Sequence, residues 1–378
     1  MTADSAAGIS VHASARPSGF IERYFPVPEF LAPRSMGVDI SDSSIKWVIL
    51  EPAKRGYRVA AYGDVKIPEG IVVGGAVRDA SALGAALQPI IAASGGVLYA
   101  HAALPEEAAY VFSMHAPHGS SREQILRMIE FEFEGRVPIK PSAAVYDYDI
   151  IDEHDAASGI EIAVSVFPKD LAESYTAAFA SAGMQLLSLE IEARSIARAV
   201  STGAHDEPIT LLVDFGGTRT GFAVLKRGVP IFTSTVEVGG NAMLRSLADK
   251  LGLAYGEAQE INNEEGLAPT TSRGKQAAEV LTMTAAVLAD EVTRHYRFWD
   301  TRRDERGDRM TPVERVLLVG GNANLKGLAS YIAGRVQAPT ERGNVWLRVT
   351  SFDDYIPPID WRASLQFATA IGLALRGV

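Results

Sequence analysis

Residues 38–50 read VDISDSSIKWVIL, and residues 213–225 read VDFGGTRTGFAVL. Each is an apolar run ending on aspartate, a short turn of small polar residues, and a second apolar run rich in β-formers. That pattern predicts a tight β-hairpin. Laid over each other without gaps, Val38 falls on Val213, Asp39 on Asp214, Ser43 on Thr218, Trp47 on Phe222 and Leu50 on Leu225. A hairpin repeated in this way implies two like-folded halves whose turns face each other across a cleft.

After the first hairpin the pattern predicts a third strand at 57–67, a helix at 79–93 and a strand at 97–102, hence a mixed sheet with a crossover helix. Residues 119–135 place Ile125, Met128, Ile129 and Phe133 at helical spacing, with Glu123, Glu130, Glu132 and Glu134 elsewhere. Leu126 and Phe131 add more apolar surface than one buried face needs, so part of this helix is expected to meet another domain or an extended peptide. Strands are expected at 144–151 and 160–167 around a polar turn at 152–159. A helix over 168–182 follows, opened by Pro168 and stopped by Gly183. This helix–strand–strand–helix segment reads as an inserted subdomain.

A strand and a helix over 185–200 return to the first half. The second half then shows three strands over 210–237 and two short helices at 242–251 and 255–262. A long helix containing 282–299 follows, preceded by turns rich in Lys and Gln. The run DTRRDERGDR at 300–309 carries both signs of charge and reads as a solvated loop. Arg315–Val319 is the last strand of the second half, and 361–375 a helix rich in Ala and Gly that can pack closely. Residues 1–34 have no period and read as a flexible lead-in, within which FIERYFPVPEFL at 20–31 is expected to dock along the body or serve as a contact segment. The expected division is a first domain of 35–207 plus 353–378 with an insert at about 105–184, and a second domain of 208–352 with a smaller subdomain at about 238–312.

Composition narrows the function. The 378 residues are 47% apolar, enough for a sizeable core, and no segment approaches the ~20 uninterrupted apolar residues of a membrane span. A net charge of −10 argues against nucleic acid as the main partner. The absence of cysteine excludes disulfides, thiol nucleophiles and Cys-based zinc sites, and suits a reducing cytosol. The N-terminus lacks a basic region followed by an apolar run, so no secretory signal is expected. His115 and His118 are separated by a proline and have no further ligand close by, and no P-loop, zincin or serine-hydrolase motif is present.

The repeated hairpins carry the candidate chemistry. Gly216 and Gly217 let backbone N–H groups approach an anion, and Ser41, Ser43, Ser44 and Thr218 add hydroxyl donors. Asp39 and Asp214, at the ends of the leading strands, are repelled by a phosphate but can hold Mg²⁺ that touches one. Lys46 either neutralises phosphate charge or points outward from its strand.

Together these hairpins resemble the two phosphate motifs of the actin-like ATPase superfamily, and RVLLVGGNANLKGL at 315–328 resembles its adenosine motif. Within that superfamily the chain resembles the PilM family of type IV pilus assembly proteins from about residue 30 onward. The blocks that carry the likeness are GVDISDSSIK, IEFEFEGRVPIKPSAAVYDYDII, VFPKDLAESYTAAFASAGMQLLSLEIEARSIARA, VEVGGNAMLRSLADKLGL and FATAIGLALR. The resemblance implies an α/β, actin-like (ribonuclease H-like, duplicated) two-domain fold with an inserted small α+β subdomain, closing on ATP and Mg²⁺. It adds Gly239, Gly240, Gly320, Gly321 and Asn322 to the nucleotide site, and it points to Glu190 or Glu192 as the acid that orients water.

The chain departs from the family where PilM-like and FtsA-like proteins carry a Glu and a Lys near the ribose and base: here Gln259 and Asn262 stand there. Neutral contacts are about half as strong as charge-assisted ones, so weaker nucleotide binding is expected. The resemblance further implies a cytoplasmic scaffold at the inner face of the membrane. Its partners would be the N-terminal cytoplasmic tail of a PilN-like membrane protein, in a groove between first domain and insert, and other proteins of the pilus assembly platform, with self-association as a further expectation. An FtsA-like division protein is the alternative, against which stands the lack of a terminal amphipathic helix after LALRGV. A small-molecule kinase is the other, against which stands the lack of an Asp near the connecting segment.

Overall fold

The computed structural model describes residues 33–153, 159–303, 307 and 309–378. The expected lead-in, apart from its last residues, lies outside the described residues, as do most of the turn at 152–159 and part of the charged run at 300–309.

The first half is a five-stranded sheet. In chain order its strands are β1 (Ser35–Ile40), β2 (Ser44–Pro52), β3 (Tyr57–Lys66), β6 (Tyr99–Leu104) and β10 (Gln185–Ile191), between which lie the short strands β4 (Val72–Val73) and β5 (Ala76–Val77) and helix α1 (Ala80–Ala93). The spatial order is β10-β6-β1-β2-β3. The second half repeats it with β11 (Thr210–Phe215), β12 (Thr220–Lys226), β13 (Val229–Val236), β14 (Arg315–Val319) and β15 (Thr340–Arg342), ordered β13-β12-β11-β14-β15. In both sheets the hairpin strands pair antiparallel and the two strands beyond them run parallel. The register repeats as well: Val38 faces Trp47 and Asp39 faces Lys46, while Val213 faces Phe222 and Asp214 faces Gly221. These are the pairs that the gapless overlay of the two sequences demands, because one slipped residue would turn every core side chain outward.

The insert holds a strand that the pattern reading missed. β7 (Tyr110–Ala116), β8 (Ala144–Asp152) and β9 (Ile160–Pro168) form a three-stranded sheet ordered β7-β9-β8, with α2 (Arg122–Arg136) on one face. Phe112, Met114 and Ala116 of β7, Ile125, Ile129 and Phe133 of α2, and Ile162, Val164 and Val166 of β9 make a separate small core. The alternation in YVFSMHA was the legible sign of β7. The helix expected to close this subdomain, α3 (Lys169–Ser181), belongs elsewhere: Leu171, Tyr175 and Phe179 join the main core.

The insert is also fastened to both halves by side-chain ion pairs. Arg194, on α4 (Glu192–Val200), grips Asp149 of β8 at 3.0 and 3.1 Å and reaches the Gly228 carbonyl at 3.2 Å. Lys226 pairs with Glu161 at 2.7 Å, and Arg227 with Asp152 at 2.7 Å.

In the second half, α5 (Gly240–Leu251) and α6 (Tyr255–Glu264) precede α7 (Ser272–Thr301). α7 starts ten residues before the stretch identified from sequence, because Thr271 caps it by accepting the Gly274 N–H at 2.9 Å and so draws Lys275 and Gln276 into the helix. Helix α8 (Leu328–Val336) follows β14. The expected C-terminal helix is broken into Trp361–Ser364, a 3₁₀ turn and α9 (Ala368–Ala374). Close packing of α9 does occur: a Cβ on Gly372 would lie 1.7 Å from the Ser195 carbonyl oxygen. Among the described residues no helix is long and apolar enough to cross a membrane.

Candidate functional site

Parallel strands deliver side chains to the crevice at their carboxyl ends. Asp39 sits near the end of β1, Glu106 just past β6 and Glu192 just past β10. Asp214 sits near the end of β11, and Gly320 just past β14.

The first turn is closed by its own serines. The Ser41 N–H donates to the Ser44 carbonyl at 2.9 Å, and the Ser44 N–H donates to Ser41 Oγ at 3.1 Å. Lys46 donates to Ser44 Oγ at 2.8 Å, and its charge acts on both Asp39 and Asp214, so its ammonium lies beside the crevice. Ser43 and Thr218 lie exposed at the tips of their turns.

The second turn meets the other glycine motifs. The Gly216 carbonyl accepts the Gly240 N–H at 3.0 Å and Asn322 Nδ2 at 2.9 Å, while the Gly217 carbonyl accepts the Asn241 N–H at 2.8 Å. No side chain fits at these approaches. A Cβ on Gly239 would stand 2.3 Å from the Gly217 oxygen, one on Gly240 2.1 Å from Asn322 Cγ, and one on Gly320 2.3 Å from Asp214 Oδ1. Gly216, Gly217, Gly239, Gly240, Gly320 and Asn322 are thus brought together around Asp214. Gly321 opens the 3₁₀ turn Gly321–Asn324 beside them.

The crevice is crowded with carboxylates. Burial first, and then repulsion from Asp39, pushes Asp214 up to about 7, with Lys46 opposing. Burial and Asp214 push Glu106 up to about 8. Burial also raises Glu192 well above its ordinary value, reinforced by Asp39, Glu106, Asp214 and Asp42. Asp39 is raised by burial against the pull of Lys46. Removing like charges from water together is costly, so the crevice favours a cation or protons among them. Among the described residues no three such side chains stand close enough to ligate a metal ion directly.

Of the two glutamates expected to orient water, Glu190 is engaged elsewhere. It is buried, accepts from Arg198 at 2.5 and 2.7 Å and from Ser195 at 2.7 Å, and pairs with Arg376 at 2.6 Å. Burial would raise it, but the two guanidiniums and the hydroxyl hold it down at about 2. A carboxylate this fully used ties β10 to α4 and the C-terminus and has no lone pair left for water. Glu192, two positions on, shares the crevice. Gln259 and Asn262 both lie on α6, Gln259 exposed and Asn262 buried with its Oδ1 unpartnered.

Sequence reasoning passed over Glu106, Asp42, Glu107 and Arg219. Glu106 is buried, and its Oε1 accepts the Ala193 N–H at 2.7 Å, so it caps the N-terminus of α4 next to Glu192. The available signal was LPEE, two acids directly after a strand parallel to β1.

A duplicated sheet with matched hairpin turns over an acidic crevice defines the actin-like ATPase fold. The chain belongs to the family of the type IV pilus assembly protein PilM, whose profile matches residues 37–378. Among solved structures, a chain of a PilM-PilN type IV pilus biogenesis complex is 20% identical over 91% of this chain and 98% of that one, with a TM-score of 0.74. The ethanolamine utilization protein EutJ from Carboxydothermus hydrogenoformans is 18% identical over 93% and 91% of the two chains, with a TM-score of 0.52. MreB 5 of Spiroplasma citri, solved bound to AMPPNP, is 12% identical over 91% and 95%, with a TM-score of 0.54. At these identities the likeness carries the fold.

Proposed function

We propose that this protein is a nucleotide-binding scaffold of a type IV pilus or related assembly platform, binding ATP with Mg²⁺ between its two hairpin turns. The observation that carries this reading is the convergence of Lys46, the Asp39 and Asp214 carboxylates and the glycine motifs on one crevice. Those residues fit the ligand. Backbone N–H groups and the exposed Ser43 and Thr218 hydroxyls suit phosphate oxygens, Ser41 and Ser44 hold the first turn in shape, and Lys46 offsets the phosphate charge. Asp39 and Asp214 offer hard oxygens suited to hydrated Mg²⁺, which would relieve their mutual repulsion. Glu192 is the acid placed to orient water, with Glu106 fixing its helix start. Gly321 and Asn322 would border the adenosine, and Gln259 and Asn262 the ribose or base.

The scaffold role follows from family membership together with the exposed Phe131 ring of α2 and the groove beside it. The partner is the N-terminal tail of a PilN-like membrane protein, which would bring the chain to the inner face of the cytoplasmic membrane. The chain would reach other platform proteins there, and could meet copies of itself, through this tether.

Titration calorimetry with MgATP tests the nucleotide part. Binding is expected for the parent protein and a loss of at least about tenfold in affinity for Asp214→Asn, the worth of one charge-assisted contact. Absence of heat at millimolar MgATP would remove the nucleotide from the proposal.

A further inference from the structure

Arg219 sits in the turn of the second hairpin, where its carbonyl accepts the Gly216 N–H at 3.0 Å. Its guanidinium crosses to the first half and pairs with two carboxylates, Asp42 in the first hairpin's turn and Glu107 just beyond β6. Each carboxylate is built into the frame of that half. Asp42 Oδ1 accepts the Gly75 N–H at 3.0 Å, which ties it to the β4–β5 hairpin. Glu107 lies in the 3₁₀ turn Glu106–Ala108, whose first residue is pinned to Ala193 at 2.7 Å. The cation is carried by the second half alone. A planar guanidinium can face two carboxylates at once, which a lysine ammonium does with less geometric definition.

We propose that Arg219, Asp42 and Glu107 form a latch between the two hairpin turns that holds the halves of the molecule together and opens for nucleotide to enter or leave. The exchange step rests on the nucleotide reading above; the latch itself does not. The three side chains keep 26–28% of their surface in water, so the latch is tight enough to matter and wet enough to be weakened by salt. Arg219 is a positioning residue in this scheme, since it acts by holding the turns and not by touching phosphate.

The chain has no cysteine, so spin labels can be placed uniquely through Gln88→Cys on α1 and Asp249→Cys on α5, both exposed. Pulsed EPR on the nucleotide-free protein should give a broader and longer distance distribution for Arg219→Gln, and for Asp42→Asn with Glu107→Gln. Arg219→Lys, which keeps the charge but not the planar fork, should fall between the parent and Arg219→Gln. Parent-like distributions in all these variants overturn the latch. Release of a fluorescent ATP analogue into excess ATP is the second readout. Arg219→Gln should release it about tenfold faster, and Asp42→Asn should also speed release. Slower release from Asp42→Asn would mean that a freed Arg219 serves the phosphates, and the latch would be rejected. If the parent binds no analogue, the nucleotide reading fails while the label distances still decide the latch.

Discussion

Two glutamates of one short segment show how environment separates residues that sequence cannot. Glu190 and Glu192 stand two apart in LEIEARS, yet the first is held near pKa 2 by two arginines and the second is raised among four acids. Because the Glu190 value is depressed in the folded state, its contribution is present above the unfolded pKa near 4.5 and is lost as pH falls toward 2. His101 acts in the same direction. Burial and then Arg376 lower it from 6.5 to about 4, so the unfolded chain takes up a proton that the folded one refuses as pH falls through that window. Between about pH 8 and 4.5 the raised crevice carboxylates Glu106, Asp214 and Glu192 oppose His101, since there the folded chain holds protons that the unfolded one has lost. Acid loss of stability should therefore set in only below about pH 4.5, where Glu190 is titrated. Glu190→Gln should cost about 3 kcal/mol at pH 7, since it takes the carboxylate from the buried Arg198 guanidinium, and should flatten the lower limb of the profile. Denaturant melts of both proteins across pH check this, and equal stability at neutral pH would contradict it.

At the scale of an element, α2 is the informative helix. Ile125, Ile129 and Phe133 are buried in the insert's core, which uses one face. Phe131 remains 84% exposed, beside a groove of about 380 Å³ lined by Met114, Gln124, Arg127, Met128 and Glu132. The apolar excess visible in the sequence is therefore partly left on the surface, as a peptide-binding role requires. Phe131→Asp should abolish capture of a PilN-like N-terminal peptide and leave the melting temperature nearly unchanged. Ile129→Asp should unfold the insert by burying a charge against Phe112 and Val164. Fluorescence polarisation with the labelled peptide, alongside thermal melts, separates the two. Undiminished peptide binding by Phe131→Asp would place the partner groove elsewhere.

At the scale of the molecule, the crevice gathers acids from several elements and both halves, so a ligand that neutralises them should be linked to folding. MgATP at a hundred times its dissociation constant should stabilise the protein by about 2.7 kcal/mol by mass action, visible as a rise in melting temperature that Mg²⁺ or ATP alone reproduces only in part. Equal melting with and without MgATP would speak against the crevice as its site.

The sequence by itself determined what depends on neighbours along the chain. The two hairpins, their shared register, the glycine turns and the apolar surplus of α2 are all local periodicity or local turn chemistry, readable because a side chain's face follows from its position in a strand or helix. Tertiary structure decided what depends on residues far apart. It assigned α3 to the main core and not to the insert, because Tyr175 and Phe179 find their neighbours across the chain. It turned Glu190 into a structural ion pair through Arg376, 186 positions away, and brought Asp42 to Arg219 across 177. Charge partners of that kind leave no periodic trace, since burial and proximity in space, not spacing in sequence, set the energy of a buried carboxylate.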